Sequence, residues 1–122
     1  MNSQKTRSLF SSGIILLLLF TTGCYYDQVL PIEAEGEISF SADIQPFFDA
    51  KCASCHPDDS QPDLQPGNSY NSLISGDYIN TSDPSNSKLY TKIDAGGSME
   101  GFATDTERAI TLKWIEQGAQ DN

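Results

Sequence analysis

The stretch Lys51-Cys52-Ala53-Ser54-Cys55-His56 decides the fold of this chain of 122 residues. Two cysteines stand two residues apart, and a histidine follows the second one directly. In this arrangement two thiols and an imidazole lie within about one turn of chain, so that they can act on one group. At this composition the pattern is expected by chance in about six of 10,000 such chains. The motif therefore indicates a functional site.

Covalent attachment of haem explains this spacing better than the other uses of paired cysteines. The thiols of Cys52 and Cys55 can add to the two vinyl groups of haem, and His56 then ligates the iron. A thioredoxin-like pair needs a βαβ context, which the pattern lacks. A zinc site needs four ligands, and the motif otherwise has only carboxylates to draw on. A disulfide would close too small a loop to stabilise the chain much. We expect one covalent haem c, with His56 as proximal iron ligand.

Met99 is the candidate for the second axial position of the iron. His56 is the only histidine, so a second imidazole from the same chain is excluded. A thioether is a soft neutral ligand that raises the reduction potential relative to a second imidazole. Met99 lies 43 residues after His56, and Gly96, Gly97 and Gly101 predict a flexible loop around it. The alternative is a methionine that fills a gap in the core.

The first residues read as an export signal and a lipid anchor. A basic start precedes an apolar run over 14–20, which is too short to span a bilayer, since that requires about 20 residues. Residues 1–23 are therefore predicted to be a signal peptide. Their end resembles a bacterial lipobox, in which the cysteine is lipidated after cleavage: Phe20-Thr21-Thr22-Gly23-Cys24. The alternative is an ordinary signal that leaves Cys24 as a free thiol.

The remaining chain is acidic and poor in apolar residues. Its net charge is −10 overall, and after residue 23 five basic residues stand against all 17 acidic ones, a net charge of −12. This balance argues against nucleic acid and anionic lipid as partners, because both require clustered Lys and Arg. Residues 24–38 are predicted to be an acidic flexible tether, and residues 39–122 the folded domain. The whole chain has only 38% hydrophobic residues, so we expect the folded domain to need a cofactor that adds to its core.

Apolar spacing predicts an all-α domain of short helices and long loops. The first helix is predicted to begin at Asp43 and to carry one apolar face: Ile44, Phe47, Phe48 and Cys52. The prolines of residues 57–68 predict a loop, followed by a helical turn over 70–74. Asp83-Pro84 predicts the start of a third helix. Thr104-Asp105-Thr106-Glu107 is a capping box that begins the last helix, and Gly118 ends it.

Several side chains have predicted places around the haem. Trp114 is expected to pack between the terminal helices, and a carbonyl in residues 60–66 to accept from the imidazole of His56. Three tyrosines are either donors to the haem propionates or ordinary core and surface residues: Tyr70, Tyr78 and Tyr90. The predicted packing partners are apolar residues of the helices: Ile44, Phe47, Phe48, Leu73, Leu89, Ile93, Ile110 and Trp114.

Beyond the haem motif, longer stretches resemble a known family. They are Phe40-Ser41-Ala42-Asp43-Ile44-Gln45-Pro46-Phe47-Phe48, Asp83-Pro84-Ser85-Asn86-Ser87-Lys88-Leu89-Tyr90 and Ile110-Thr111-Leu112-Lys113-Trp114-Ile115-Glu116-Gln117-Gly118-Ala119. Together with the motif they are similar to the planctomycete-type cytochrome c domain, a relative of class I cytochromes c, over about residues 39–119. The resemblance implies a cytochrome c-like fold, with three to five short helices wrapped around one covalent haem.

The expected function is that of an exported, membrane-tethered electron carrier and not of an enzyme. Filled axial positions at His56 and Met99 would leave the iron to exchange one electron between envelope redox partners. An acidic surface suits partners with a basic docking surface. We expect a monomer on the periplasmic or cell-surface side of a bacterial envelope, held to the membrane only by lipid on Cys24. The alternatives are a haem-based gas sensor or peroxidase-like protein with a labile sixth ligand, and a haem-bearing structural module of an envelope complex.

Overall fold

Short helices and loops make up the part of the chain that the computed structural model describes, residues 36–122. No strand occurs within this range, which agrees with the predicted all-α class. The helices are α1 (Gln45–Lys51), α2 (Ser69–Ser75), α3 (Lys88–Ile93) and α4 (Asp105–Glu116). A π-helical turn over Phe40–Ile44 precedes α1, and 3₁₀ turns lie at Pro84–Asn86 and Glu100–Phe102.

The predicted signal peptide and Cys24 lie outside the described residues, as does the tether up to residue 35. Residues 36–38 contact the end of α4. The side-chain amide of Gln117 donates to the carbonyl of Gly36 (2.7 Å), and its oxygen accepts from the backbone N–H of Ile38 (2.8 Å). Ile38 itself is buried. Among residues 36–122 no helix has both the length and the apolar character needed to cross a membrane.

The first helical segment begins earlier than the sequence predicted, at Phe40 instead of after Asp43. Ser39 is the cap: its hydroxyl accepts from the N–H of Ala42, and its own N–H donates to the Asp43 carboxylate (2.8 Å). These reciprocal bonds satisfy N–H groups that the first turn leaves without partners. Asp43 thus caps from inside the segment. The earlier start also buries Phe40, which the expected boundary left outside the helix.

The third helix also begins at a different place from the one predicted. Asp83-Pro84 opens a 3₁₀ turn, and α3 begins only at Lys88. The Asp83 carboxylate accepts from the side-chain amide of Asn86 (2.8 Å) and so closes that turn instead of capping α3. By contrast α2 matches its prediction and meets Gly76 at its end, while residues 57–68 form a loop without helix.

The last helix, α4, confirms the predicted capping box. The Thr104 hydroxyl accepts from the N–H of Glu107, and the Glu107 side chain accepts from the N–H of Thr104 (2.7 Å). Gly118 ends the helix with φ +100°, a conformation that costs glycine little. The helix packs on the π-helical turn, on α3 and on the 3₁₀ turn at Pro84–Asn86.

One apolar cluster forms the core of residues 36–122. Of the eight predicted packing residues, seven are buried in it, and Ile110 is half-buried against it. Trp114 is 1% exposed and lies 5.2 Å from Phe40, ring centre to ring centre, so it joins the two ends of the domain as predicted. The prediction omitted several buried members: Ile38, Phe40, Leu64, Ala103, Ile115 and Ala119.

Candidate functional site

The Cys-x-x-Cys-His motif forms one tight turn at the end of α1. Cys52 is the C-cap of α1, and its N–H donates to the carbonyl of Phe48 (2.8 Å). Its own carbonyl accepts from the N–H groups of both Cys55 and His56 (3.0 Å each). The three predicted haem-binding residues therefore lie on one backbone turn. Cys55 is exposed, Cys52 and His56 are half-buried, and the thiols are not joined in a disulfide.

The imidazole of His56 is held in one orientation by the loop that follows it. Its Nδ1 lies 3.1 Å from the carbonyl oxygen of Pro62, which can only accept, so Nδ1 carries the proton. The acceptor falls in residues 60–66, as predicted. The loop is fixed in turn by buried Leu64, whose N–H donates to the carbonyl of His56 (3.0 Å). Nε2 is therefore left as the nitrogen with a free lone pair, the arrangement that metal-ligating histidines use.

The thiol of Cys52 does not suit dithiol–disulfide exchange. Burial raises its pKa to about 11, and the nearby Glu107 carboxylate adds to this rise more than Lys51 offsets it. Reactive pairs of the thioredoxin kind have the opposite property, a lowered thiolate pKa. The βαβ context is also missing within residues 36–122, because that range has no strand. The environment of the motif thus argues against a redox dithiol.

The donor set does not suit a zinc ion either. Across residues 36–122, no three His, Cys, Asp or Glu side chains converge closely enough to hold a metal ion. Structural zinc requires four such ligands in a tetrahedron. What the turn does offer is two thiols and one oriented imidazole, arranged along the chain.

Met99 lies in an ordered segment between α3 and α4, and not in the flexible loop that the glycines predicted. Its N–H donates to the carbonyl of Lys92 (2.7 Å), and the Glu100 carboxylate accepts from the N–H of Gly96 (2.9 Å). Met99 is 37% exposed, and Phe102 in the next turn is 54% exposed. A methionine that fills a core gap would be buried, so the filler role does not fit.

The first turns of α4 connect the motif with the Met99 segment. Lys51, next to Cys52, forms an ion pair with Glu107 (2.7 Å). The adjacent Arg108 donates to the carbonyl of Glu100, next to Met99 (2.8 Å). The structure therefore gathers Cys52, Cys55 and His56 in one turn, and it holds Met99 on a second segment tied to the same helix.

Two residues near these segments escaped the sequence reasoning. Neither Glu107 nor Arg108 was singled out for more than capping or charge, since their partners are distant in sequence. Tyr70, a candidate donor to haem propionates, instead donates its hydroxyl to the carbonyl of Ala119 (3.0 Å) and stacks edge-on against Phe40. It is a core tyrosine, the other role considered for it.

Among curated proteins, the chain is similar to the hydrazine synthase subunit alpha of Kuenenia stuttgartiensis, at 30% identity over 131 aligned positions. The match covers 75% of this chain and 16% of that subunit, so the chain spans only a small part of the relative's length. No family model matches the sequence. No solved structure matches it either.

Proposed function

We propose that this protein is a small c-type cytochrome that carries one electron at a time. The observation that carries the proposal is the turn at Cys52–His56, with two unpaired thiols and an imidazole whose Nδ1 is committed to Pro62. These residues fit a haem bound by two thioether bonds and ligated through Nε2 of His56. When bound, the haem iron would supply a one-electron redox couple. A cytochrome c-like arrangement of the helices around it is part of the same proposal.

Met99 is the proposed second axial ligand. Met99 is 37% exposed, and its backbone is tied to the carbonyl of Lys92, so a partly exposed residue stands on a fixed main chain. With both axial positions filled by the protein, small molecules would be kept from the iron. No second histidine exists in the chain to assist acid–base chemistry there. Both properties favour a carrier over a gas sensor or a peroxidase-like protein.

Charge and export complete the proposal. Most acidic residues of 36–122 are exposed, including Asp58 and Asp59 shortly after the motif. A redox partner with a basic docking surface would be steered to this side. The predicted signal peptide and lipid on Cys24 would place the monomer on the outer side of a bacterial membrane. Fatty-acid labelling that requires Cys24 tests the anchor.

A second candidate is a haem-bearing module within a larger envelope complex. It is favoured by one observation, the similarity to a stretch that makes up 16% of a protein named as a subunit of hydrazine synthase. Such a module would co-purify with a larger assembly, and it would not be re-oxidised by source membranes on its own. A free carrier would be reduced and re-oxidised by those membranes as an isolated protein.

The pyridine haemochrome assay is the first test of the proposal. The chain, made in a host with working cytochrome maturation, is expected to be coloured and to hold one covalent haem. Cys52→Ser and Cys55→Ser are each expected to lose a thioether bond, which changes the haemochrome spectrum. Cys24→Ser, the matched control outside the motif, is expected to retain both bonds. A folded but colourless product would refute the proposal.

Variants of Met99 test the second ligand. Met99→Leu keeps the apolar volume and removes the sulphur, and Met99→Ala removes both. We expect both variants to lose the ferric iron–thioether charge-transfer band and to bind carbon monoxide in the ferrous state, which the unmodified chain resists. An unchanged band in Met99→Leu would show that another group ligates the iron. Immediate binding of carbon monoxide by the unmodified chain would favour the sensor.

A further inference from the structure

Arg108 uses two of its three guanidinium nitrogens to hold the segment that carries Met99. Its side chain is only 16% exposed. Nε donates to the carbonyl of Ile93 (2.7 Å), the last residue of α3, and Nη2 donates to the carbonyl of Glu100 (2.8 Å). These two carbonyls bracket residues 94–99. The third nitrogen, Nη1, donates to the Asp105 carboxylate.

The two carbonyl bonds fix both ends of the segment relative to α4. A guanidinium presents its donors in a rigid fork, so the two acceptors are held in one mutual geometry. The ion pair with Asp105 has a different role. Asp105 is 94% exposed, and an ion pair with so exposed a partner contributes little. The restraint on the segment thus comes from the bonds to Ile93 and Glu100.

We infer that Arg108 is a positioning residue for Met99, holding the 94–99 segment so that the thioether stays at the iron. This inference rests on the proposed ligation by Met99. Arg108 acts through the backbone on either side of Met99, by its bonds to the carbonyls of Ile93 and Glu100. Without it, the main chain would retain the Met99–Lys92 bond but lose its two anchors to α4.

Competition by added imidazole measures this restraint on the holoprotein. Imidazole binds ferric iron only when Met99 is off, so its apparent affinity scales with the fraction of molecules in that open state. Losing two bonds from a charged donor is expected to tighten imidazole binding about ten- to hundred-fold in Arg108→Ala. Arg108→Lys can replace only one of the bonds, so its imidazole affinity should lie between those of the unmodified chain and Arg108→Ala. The matched control Asp105→Asn, which keeps both carbonyl bonds, should stay within about two-fold.

Hydrogen exchange provides a second readout that is independent of the iron. The amide of Met99 is expected to exchange faster in Arg108→Ala and Arg108→Lys, while the amide of Cys52 in α1 keeps its protection. If Arg108→Ala does not fold, the test rests on the imidazole affinity and the Met99 amide exchange of Arg108→Lys. Faster exchange throughout the domain, with unchanged imidazole affinity in Arg108→Lys, would show a merely structural role and overturn the inference.

The same measurements separate the inference from the proposed function. A thioether band in the unmodified chain, with imidazole affinities that are equal in all variants, would overturn the role of Arg108 and leave Met99 as ligand. A chain without the band would refute ligation by Met99 and, with it, any positioning of that ligand. An apparent imidazole affinity that rises from Asp105→Asn to Arg108→Lys and again to Arg108→Ala supports both ligation by Met99 and its positioning by Arg108.

Discussion

Gly97 is the residue of the Met99 segment where an added methyl group should destabilise the fold most. A Cβ on Gly97 would collide with the backbone carbonyls of Thr91 and Lys92, and backbone cannot swing aside as a long side chain can. We expect Gly97→Ala to cost about 1–3 kcal/mol of unfolding free energy, measured by urea denaturation. The holoprotein should also lose part of its iron–thioether band, because the Lys92 carbonyl is also the acceptor for Met99.

Gly101 is the matched control for this substitution. It lies on the other side of Met99, and a Cβ there would meet nothing within 4 Å. Gly101→Ala should change the unfolding free energy by less than about 1 kcal/mol and leave the band intact. Equal urea midpoints for the two alanine variants would contradict the close backbone approach at Gly97.

Single residues also show where sequence reasoning succeeds. The need of His56 for an acceptor follows from the chemistry of the imidazole, and the short loop limited the choice to residues 60–66. The structure places the acceptor at Pro62, within that range. The order of the Met99 segment was missed, because glycines indicate freedom of the backbone and not the contacts that restrict it. Here the restricting partners are the carbonyls of α3 and the side chain of Arg108.

The ion pair between Lys51 of α1 and Glu107 of α4 should make the free energy of unfolding depend on pH. Partial burial acts to raise the pKa of Glu107, but hydrogen bonds from Lys51 and Thr104 outweigh it and lower that pKa overall. The unfolded chain, with an ordinary carboxyl pKa of about 4.3, then binds more protons than the folded chain at pH values just below it. The stabilisation that ionised Glu107 contributes is therefore fully present above the unfolded pKa. It is lost as the pH falls through the lowered pKa of the folded chain.

Urea titrations between about pH 3 and 7 check this expectation. Glu107→Gln should be less stable than the unmodified chain at neutral pH, by about 1–2 kcal/mol, because a charge-assisted bond to Lys51 is weakened. The difference between the two should shrink towards acid pH. Glu116→Gln, at an exposed position of the same helix, is the control and should show no such narrowing. A constant difference for Glu107→Gln at all pH values would contradict the assignment.

At the level of elements, boundaries were the part that patterns could not settle. The start of α4 was predicted correctly, since a capping box is a bond between residues three apart. The starts of the first and third helical segments were wrong. Ser39, and not Asp43, is the N-cap of the first segment. The Asp83 carboxylate accepts from the side chain of Asn86 within a 3₁₀ turn and does not cap α3. Competing caps a few residues apart differ by too little energy for sequence alone to rank them.

The net charge, −12 after residue 23, should govern how the proposed carrier meets charged redox partners. We expect the holoprotein to exchange electrons faster with a cationic metal complex than with an anionic one of similar potential. The rate with the cationic complex should fall as salt is raised from about 10 to 200 mM, because the Debye length shrinks from about 30 Å to below 10 Å. Stopped-flow absorbance of the haem bands measures both rates.

Reversing two charges beside the motif sharpens this test. Asp58→Lys with Asp59→Lys should slow exchange with the cationic complex and weaken its dependence on salt. The same double change at Glu116 and Asp121, which are also exposed, serves as a control for net charge alone. Equal effects of the two pairs would show that docking is not directed to the side of the motif.

Interactions between neighbours in the chain were enough to establish the helical class, the turn of Cys52, Cys55 and His56, and the capping of α4. Each of these depends on groups within about four residues of one another, so the order of residues already contains it. The contacts that hold the site together are of another kind. Lys51 meets Glu107 and Trp114 meets Phe40 across long stretches of sequence. Arg108 meets Glu100 and Ile93, which lie eight and 15 residues before it, beyond the reach of a helical turn. Such pairs exist only once the core has closed and brought α4 against both candidate ligand segments, because no local pattern encodes which distant carbonyl or carboxylate a side chain will reach.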